Sequence, residues 1–373
     1  MSFARQEIPV MREIASKGWA TWGADNLLPR DLMRAYDGSA THAAIVKAKQ
    51  NWTAGAGIGI GGMTQEETLK WIATLEPKEG AEIKRLLFHA NAEESLADVA
   101  SKAALDWILF GAFALEVTWA RDGRSIARIK HVPAMRVRSG LLDDDGNVTE
   151  YFYSRDWSRA THKGFHPVRI PAFDRATKDD FPVQLMFVRD ERPDLDYHST
   201  PSYFSALQWV TLDAEMGGFF SSLIQNGFSP SFVAKFYGQA TPEQQEVINT
   251  LLRRQYSGSS NAGKMIVTFS DSKDLAPEFQ PIETSNLDKQ YIALAEMVVQ
   301  NIIVAHRVPS PSLVGLAVPG KLGYSNEVAN SADLFQLTVI GPDQKVIDRA
   351  INRIMRAGGV YHEFQLCKFN HKP

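Results

Sequence analysis

Apolar residues recur at helical spacing through the first third of the chain. Ala43, Ala44, Ile45, Val46 and Ala48 follow Thr41, which reads as an N-cap, and Thr64 caps a helix from Gln65 to Leu75 with Glu67 at the capping-box position. Leu96 to Leu109 predicts a third helix. After Gly111 the pattern changes to alternation. Phe113 to Trp119, a turn at Asp122-Gly123 and Ser125 to Val132 predict a β-hairpin, and Asp145-Gly146 marks a second turn before Val148 to Tyr153. This small sheet region ends near Val188.

A long helix is predicted from Pro201 through Asn226, broken by Gly227 and Pro230 and charged only at Asp213 and Glu215. A compact strand, helix, strand unit comes next: Phe232 to Tyr237, then a helix with Pro242 at N1 after Thr241, capped with Gln244 and running through Tyr256, then Met265 to Phe269. A second long, mostly apolar helix runs from Leu287 to His306. Neither long helix has a fully polar face, so each must be buried, and copies of the same chain are the partner this suggests. Arg307 to Tyr324, with Pro309, Pro311 and Pro319, is too irregular for a helix. Ser325 or Asn326 then caps a helix to Ile340, Pro342 starts another to Ala357, and Gly358-Gly359 ends it.

Composition narrows the function classes. The chain has 373 residues, 44% hydrophobic and 22% charged, enough for two or three domains, and its 40 Lys+Arg against 43 Asp+Glu leave a net charge of −3. Binding of nucleic acid by bulk electrostatics is excluded, so any such contact must come from local patches or from repetition in an oligomer. The single cysteine, Cys367, excludes an intrachain disulfide framework and a thiolate zinc site, which makes a reducing cytoplasm the default. Met1 to Gly18 mixes Arg5, Glu7, Arg12, Glu13 and Lys17 among its apolar residues, so secretion is not expected. Met297 to Ala305 is interrupted by Gln300 and Asn301 and falls well short of the roughly 18 to 20 residues that span a bilayer, so no membrane partner is expected.

Several stretches invite a chemical reading and fail it. Gly258 to Met265 and Gly315 to Leu322 come within one residue of a phosphate-binding P-loop, but each ends in Met or Leu where a magnesium-binding hydroxyl is needed. The first follows a helix and opens a strand, the reverse of the order that aims backbone N–H groups at phosphate. Gly55, Gly57, Gly59, Gly61 and Gly62 lack a dinucleotide fingerprint and read as a loop, and Asp143-Asp144-Asp145-Gly146 reads as a solvated turn rather than a calcium loop. His162 and His166 are four apart but flanked by Gly164 and Pro167, which argues against a helix that would converge them on a metal. No cofactor, metal or catalytic constellation is expected. Two basic stripes are more informative: Arg124, Arg128 and Lys130 on one strand face with Arg136 and Arg138 close behind, and Lys345, Arg349, Arg353 and Arg356 along one face of the last helix. Repeated around a ring, either stripe would form a positive belt able to meet DNA phosphates.

A family resemblance joins these elements. The run Trp22-Gly23-Ala24-Asp25-Asn26-Leu27-Leu28-Pro29, then Tyr36 and Ser39 to Lys49, resembles the N-terminal signature of tailed-bacteriophage portal proteins of prophage-type siphophages and myophages. Further matches follow in order: Tyr151-Phe152-Tyr153 with Asp156-Trp157, Thr200-Pro201-Ser202-Tyr203 with Ala206, Phe220, and Asn226-Gly227-Phe228-Ser229-Pro230. After Asn261-Ala262-Gly263-Lys264 come Val308-Pro309-Ser310-Pro311-Ser312-Leu313-Val314-Gly315, then Ser325-Asn326, Phe335 and Pro342. The likeness covers residues 22 to about 355, and the order and spacing of the matches carry it.

The resemblance implies an α+β portal fold: a mainly helical wing at 1–200 with a small β-rich part, stem helices at 201–228 and 285–307 bracketing an αβ clip at 229–284, a tunnel loop at 308–324, and tunnel and wing helices at 325–359. Residues 360–373 leave only a short tail or reduced crown. It further implies a non-enzymatic subunit of a homo-oligomeric, dodecameric ring at one capsid vertex of the virion, assembled in the host cytoplasm, through which double-stranded DNA is packaged and ejected without sequence preference. The implied protein partners are the terminase large subunit, the major capsid or scaffold protein, and a head-completion adaptor. By the same token Arg307, Gly320, Lys321, Leu322, Gly323 and Tyr324 would face the DNA channel, and Glu243, Glu246, Arg253 and Arg254 would lie on the docking surface of the clip. A P-loop nucleotide hydrolase and a nucleic-acid-binding module that forms no ring are the alternatives, the second disfavoured by the two apolar helices.

Overall fold

The computed structural model describes residues 11–14, 16–225, 233–237, 241–256, 266–270, 287–316 and 325–369. Two units emerge, one of residues 1–210 with 300–373 and one of residues 211–299.

The larger unit opens with a short antiparallel pair, β1 (Glu13–Ile14) and β2 (Trp19–Ala20), followed by α1 (Leu28–Gly38) and α2 (Ala40–Ala54). Ser39, not Thr41, caps α2, its side chain accepting the His42 backbone N–H at 3.0 Å. Beyond β3 (Ile58–Ile60), α3 (Gln65–Ile72) shows the expected reciprocal capping box between Thr64 and Glu67. Helices α4 (Pro77–Phe88) and α5 (Leu96–Phe110) follow, the second capped by Ser95 with Asp98 and ended by Gly111 at φ +68°. A side chain at Gly111 would meet the Thr200 carbonyl at 2.5 Å, so only glycine lets the chain turn there into the sheet.

Strands β4 (Ala112–Trp119), β5 (Ile126–Val132), β6 (Val137–Ser139), β7 (Glu150–Tyr153), β8 (Val168–Pro171) and β9 (Val183–Arg189) form two antiparallel three-stranded sheets, ordered β5-β4-β9 and β6-β7-β8. The predicted hairpin, β4 with β5, and the predicted second turn, between β6 and β7, are both present. Alternation along β4 divides its side chains between two cores. Phe113, Leu115, Val117 and Trp119 face a cluster with Val99, Ala103 and Ile351, whereas Ala114 faces Val137 and Tyr151 of the second sheet.

α6 (Leu207–Gln225) begins six residues later than the sequence predicts, after a turn in which Tyr203 is buried with its hydroxyl donating to the Leu109 carbonyl at 3.0 Å. In the smaller unit β10 (Val233–Tyr237), α7 (Pro242–Tyr256) and β11 (Ile266–Ser270) form the expected αβ module, with β10 and β11 parallel. The Thr241 hydroxyl and Gln244 side chain accept each other's backbone N–H at 3.4 and 3.1 Å. α8 (Leu287–Ala305) then leads back into the larger unit.

Two features of the chain's last part differ from expectation. α9 (Ser325–Phe335) does not stop before Pro342 but passes through a π-helical turn, Gln336–Ile340, directly into α10 (Gly341–Ala357). Proline has no N–H for the carbonyl four residues before it and crowds that carbonyl. The wider turn relieves the crowding, and the carbonyl concerned, that of Thr338, accepts Arg307 Nη2 at 3.0 Å instead. The second feature is β12 (Phe364–Leu366), a strand the sequence pattern does not predict, which pairs antiparallel with β3 and buries Phe364 and Leu366 in the core.

The β3 partner contains Gly59 within its glycine cluster, read from sequence as a loop. A Cβ at Gly59 would lie 2.1 Å from the Met63 carbonyl. Gly59→Ala is therefore expected to cost more than about 2 kcal/mol in urea unfolding, because the obstacle is backbone and cannot swing aside. A cost below about 0.5 kcal/mol would show that the β3 turn adjusts freely.

Candidate functional site

Lys345, Arg349, Arg353 and Arg356 stand exposed on α10, while Ile347, Ala350, Ile351, Ile354 and Met355 of the same helix are buried. Folding thus preserves this stripe. The four cations line an open groove of about 570 Å³ together with Asp348, Asn352, Glu363 and Gln365. Arg356 pairs with Glu363 at 3.2 Å, Arg349 Nε donates to the Lys345 carbonyl at 3.1 Å, and the Arg353 guanidinium lies 5.9 Å from the centre of the Phe173 ring. Asp348 accepts the Leu366 N–H at 2.9 Å, and burial pushes its carboxyl up to about 6.

Of the strand stripe, Arg124, Arg128, Lys130 and Arg136 are exposed, and Arg138 alone leaves the surface. Arg124 sits in the turn before β5, and a register shift at Thr118/Trp119 leaves both Ala127 and Arg128 exposed. Arg128 pairs with Glu116 at 2.9 Å. Arg138 turns inward and is 1% exposed. Its Nε donates to Asn26 Oδ1, its Nη2 to the Asn26 carbonyl at 2.8 Å, and its Nη1 to the Val137 and Met135 carbonyls at 2.7 and 3.1 Å. The guanidinium also lies 4.7 Å from the Trp157 ring centre and 5.6 Å from that of Trp22. Burial pulls it down to about 9, still above neutral pH, so the group stays charged. Trp22 itself stacks on His198 with ring centres 4.5 Å apart, and Asn26 holds φ at +66°. The Trp22 to Asn26 signature is thus the socket for a buried cation.

Reading single positions also missed a second buried cluster. His42 Nδ1 lies 2.9 Å from His306 Nε2, with the Tyr203 ring packed on both histidines. Nearby, buried Lys49 approaches Asp343 at 3.8 Å. His162 and His166 are exposed instead, and no group of three or more His, Cys, Asp or Glu placed to hold a metal occurs among the described residues. The Asp143 to Gly146 stretch is a turn in which Asp143 Oδ1 accepts the Asp145 and Asn147 N–H groups.

Large apolar side chains face outward in the first half of α8, at its end, and in the helix that follows. Ile292 is 59% exposed and Val304 62%, with Leu334 at 50% and Leu337 at 75%. Val304 stands three residues before Arg307, whose bond to Thr338 brings it beside the Leu337 turn.

The sequence matches the phage portal protein family over residues 74–369. The chain belongs to that family. An uncharacterized protein of Rickettsia felis is 25% identical over 272 residues, 72% of this chain and 64% of that protein. Among solved structures, a chain in the neck of an empty gene transfer agent particle has a TM-score of 0.59 at 19% identity, covering 90% of this chain and 83% of that one. An HK97-family phage portal protein from Corynebacterium diphtheriae has a TM-score of 0.51 at 11% identity, covering 89% and 93%. These likenesses bear on the fold, and they agree with an α+β portal chain of helices and small sheets.

In this portal chain Glu243 and Glu246 are exposed on α7, as is Val247, at 57%. The side chains of Arg253 and Arg254, on the same helix, lie outside the described residues. So do Gly320, Lys321, Leu322, Gly323 and Tyr324; of the expected channel residues only Arg307 is described, exposed, at φ +57° and bonded to Thr338. Residues 258–265 are also outside that set, but α7 precedes them and β11 follows, the helix-to-strand order expected from sequence. The family is a structural one.

Proposed function

We propose that this portal protein assembles into a closed ring, dodecameric by family resemblance, at one vertex of a capsid, and that the ring is the channel through which double-stranded DNA enters and leaves. The observation that carries this is the set of exposed apolar side chains Ile292, Val304, Leu334 and Leu337 on helices that a single chain leaves uncovered. Association would remove them from water at about 25 cal/mol per Å² of apolar surface. The neck structures of the related particles, computed with C6 and C12 symmetry, are compatible with twelve copies. In this reading α6 and α8 are the stem, residues 229–284 the clip, residues 308–324 the tunnel loop, and the clip surface with Glu243, Glu246, Arg253 and Arg254 meets the terminase large subunit and the head-completion adaptor. The wing meets the capsid or scaffold protein, and the ring forms in the host cytoplasm before it becomes part of the virion.

Mass photometry and negative-stain images of the wild type should give one large species with a central hole. Val304→Glu combined with Leu337→Glu should shift it to monomer with unchanged far-UV circular dichroism, because each carboxylate would be desolvated at the contact. Wild-type protein that stays monomeric across concentration and salt would sink the ring reading.

A further inference from the structure

We propose that the groove between α10 and β12 docks an acidic, extended peptide segment of a partner protein. Its floor is rigid. Asn352 Oδ1 accepts the Phe364 N–H at 2.8 Å and its Nδ2 donates to the Phe364 carbonyl at 2.7 Å, while Asp348 takes the Leu366 N–H. With the other edge of β12 paired to β3, both edges of the strand are satisfied, and Phe364 and Leu366 are buried while Gln365 between them lines the groove. The surface is therefore formed before anything binds, and a ligand meets little ordering cost.

The rim is cationic and uncommitted. Among the described residues no carboxylate lies within 4.0 Å of the charged groups of Lys345, Arg349 or Arg353, whereas Arg356 is held by Glu363. A second open groove of about 490 Å³ on the other side of α10 shares Arg349 and Arg353 with the first and adds Trp107, Val188 and Val346 as apolar wall, with Arg189, Asp190 and Glu191 as its charged residues. The two arginines thus stand on a ridge with concave, partly apolar ground on both sides.

Spacing and charge select the occupant. Residues four apart on a helix rise about 6 Å, and alternate side chains of an extended peptide are about 6.6 Å apart. Carboxylates at every second peptide position would meet Lys345, Arg349 and Arg353 in turn, and guanidinium groups bind carboxylates bidentately. Duplex DNA, which the stripe alone would also suit, carries one charge per about 1.7 Å of axis and would bring phosphates over Asp348 and Glu363 in the same groove. A peptide that alternates acidic and neutral residues leaves those positions to its neutral side chains, with the Gln365 amide available to its backbone.

The test is fluorescence anisotropy on the full-length protein with three probes at low salt: a labelled peptide of four Glu-Val repeats, the same peptide with Gln for Glu, and a duplex of about 20 base pairs. The Glu peptide should bind with a Kd of about 10–100 µM and the Gln peptide at least about tenfold more weakly. Arg349→Gln with Arg353→Gln should weaken the Glu peptide by about tenfold, the scale of two exposed ion pairs, and leave duplex binding unchanged. Arg349→Lys with Arg353→Lys should fall between. Both positions are exposed, so circular dichroism should not change. The non-assembling Val304→Glu, Leu337→Glu protein should bind the peptide equally, which separates this inference from the ring reading. A Glu peptide that fails to bind, or binds the glutamine variant equally well, overturns the proposal, as does duplex binding that depends on these two arginines and displaces the peptide.

Discussion

Arg138→Ala is expected to destabilise the larger unit by about 3–5 kcal/mol, a large share of the stability of an ordinary domain. The side chain fills a buried socket and gives hydrogen bonds to Asn26 Oδ1 and to the Asn26, Met135 and Val137 carbonyls. Truncation removes the guanidinium donors from the Asn26, Met135 and Val137 carbonyls, at about 1–3 kcal/mol for each left dry and unpaired, and removes the cation beside Trp22 and Trp157. Asn26 is held at φ +66° by the same network, since its Oδ1 also accepts the Trp22 N–H at 3.0 Å. Arg138→Lys should recover little, because an ammonium has neither the planar fork that reaches these acceptors nor the flat face that stacks. Urea unfolding followed by tryptophan fluorescence measures the effect. A loss under about 1 kcal/mol would mean that the socket refills or hydrates at little cost.

Acidification should weaken the same unit between about pH 6.5 and 4. Burial lowers His42 to about 4 and holds His306 and His198 well below the usual histidine range, with Lys49 and His42 adding repulsion at His306 and Arg138 at His198. A base whose folded pKa is depressed binds its proton more readily when unfolded. Stability is therefore complete above the unfolded value near 6.5 and drains away as pH falls toward the folded one. For His42 alone, moving from 6.5 to about 4 corresponds to about 3 kcal/mol. Asp348, raised to about 6, works in the opposite direction, because the folded state takes up its proton first and regains stability over about pH 6 to 4. Burial also raises Asp31 and Asp190, which act in the same sense as Asp348. The three lowered histidines are joined by the lowered carboxyls of Glu67, Glu94, Asp98, Asp122, Asp156 and Asp194, which lose stability on acidification too, and the balance is a net loss.

The geometry at His42 and His306 explains why protonation is resisted. The two rings share one proton across 2.9 Å, His42 Nε2 and His306 Nδ1 are buried without a hydrogen-bonding partner among the described residues, and Lys49 stands close by. His42→Gln with His306→Gln should reduce the slope of unfolding free energy against pH by up to two protons' worth, about 1.4 kcal/mol per pH unit for each. Asp348→Asn should steepen the acid loss. Equal urea midpoints at pH 7.5 and 5 in the wild type, or an unchanged slope in the double variant, would rule the assignment out.

Much of this architecture follows from local sequence signals. The Thr64-Glu67 capping box, the hairpin at Asp122-Gly123, the Asp145-Gly146 turn, the β10-α7-β11 order and the two-faced pattern of α10 each depend on residues a few positions apart, so a short window contains the physics that forms them. The stripe from Lys345 to Arg356 was legible for the same reason: helical spacing and the apolar face opposite leave those side chains toward water. The fate of Arg138 was not legible, because a guanidinium is buried only when enough acceptors converge on it, and these come from residues 26, 135 and 137, brought together by the fold. His42 and His306 are 264 positions apart, and the three-residue strands β3 and β12 are too short to show a period before they pair. Pro342 reads locally as a helix start, and only the Arg307 guanidinium at the Thr338 carbonyl, with the π turn around it, lets one helix run through. Local patterns determined most of the longer helices and strands and which face of each is apolar. Which polar groups could leave water was decided by tertiary structure alone, since the free energy of burying a charge depends on partners that only the folded chain supplies.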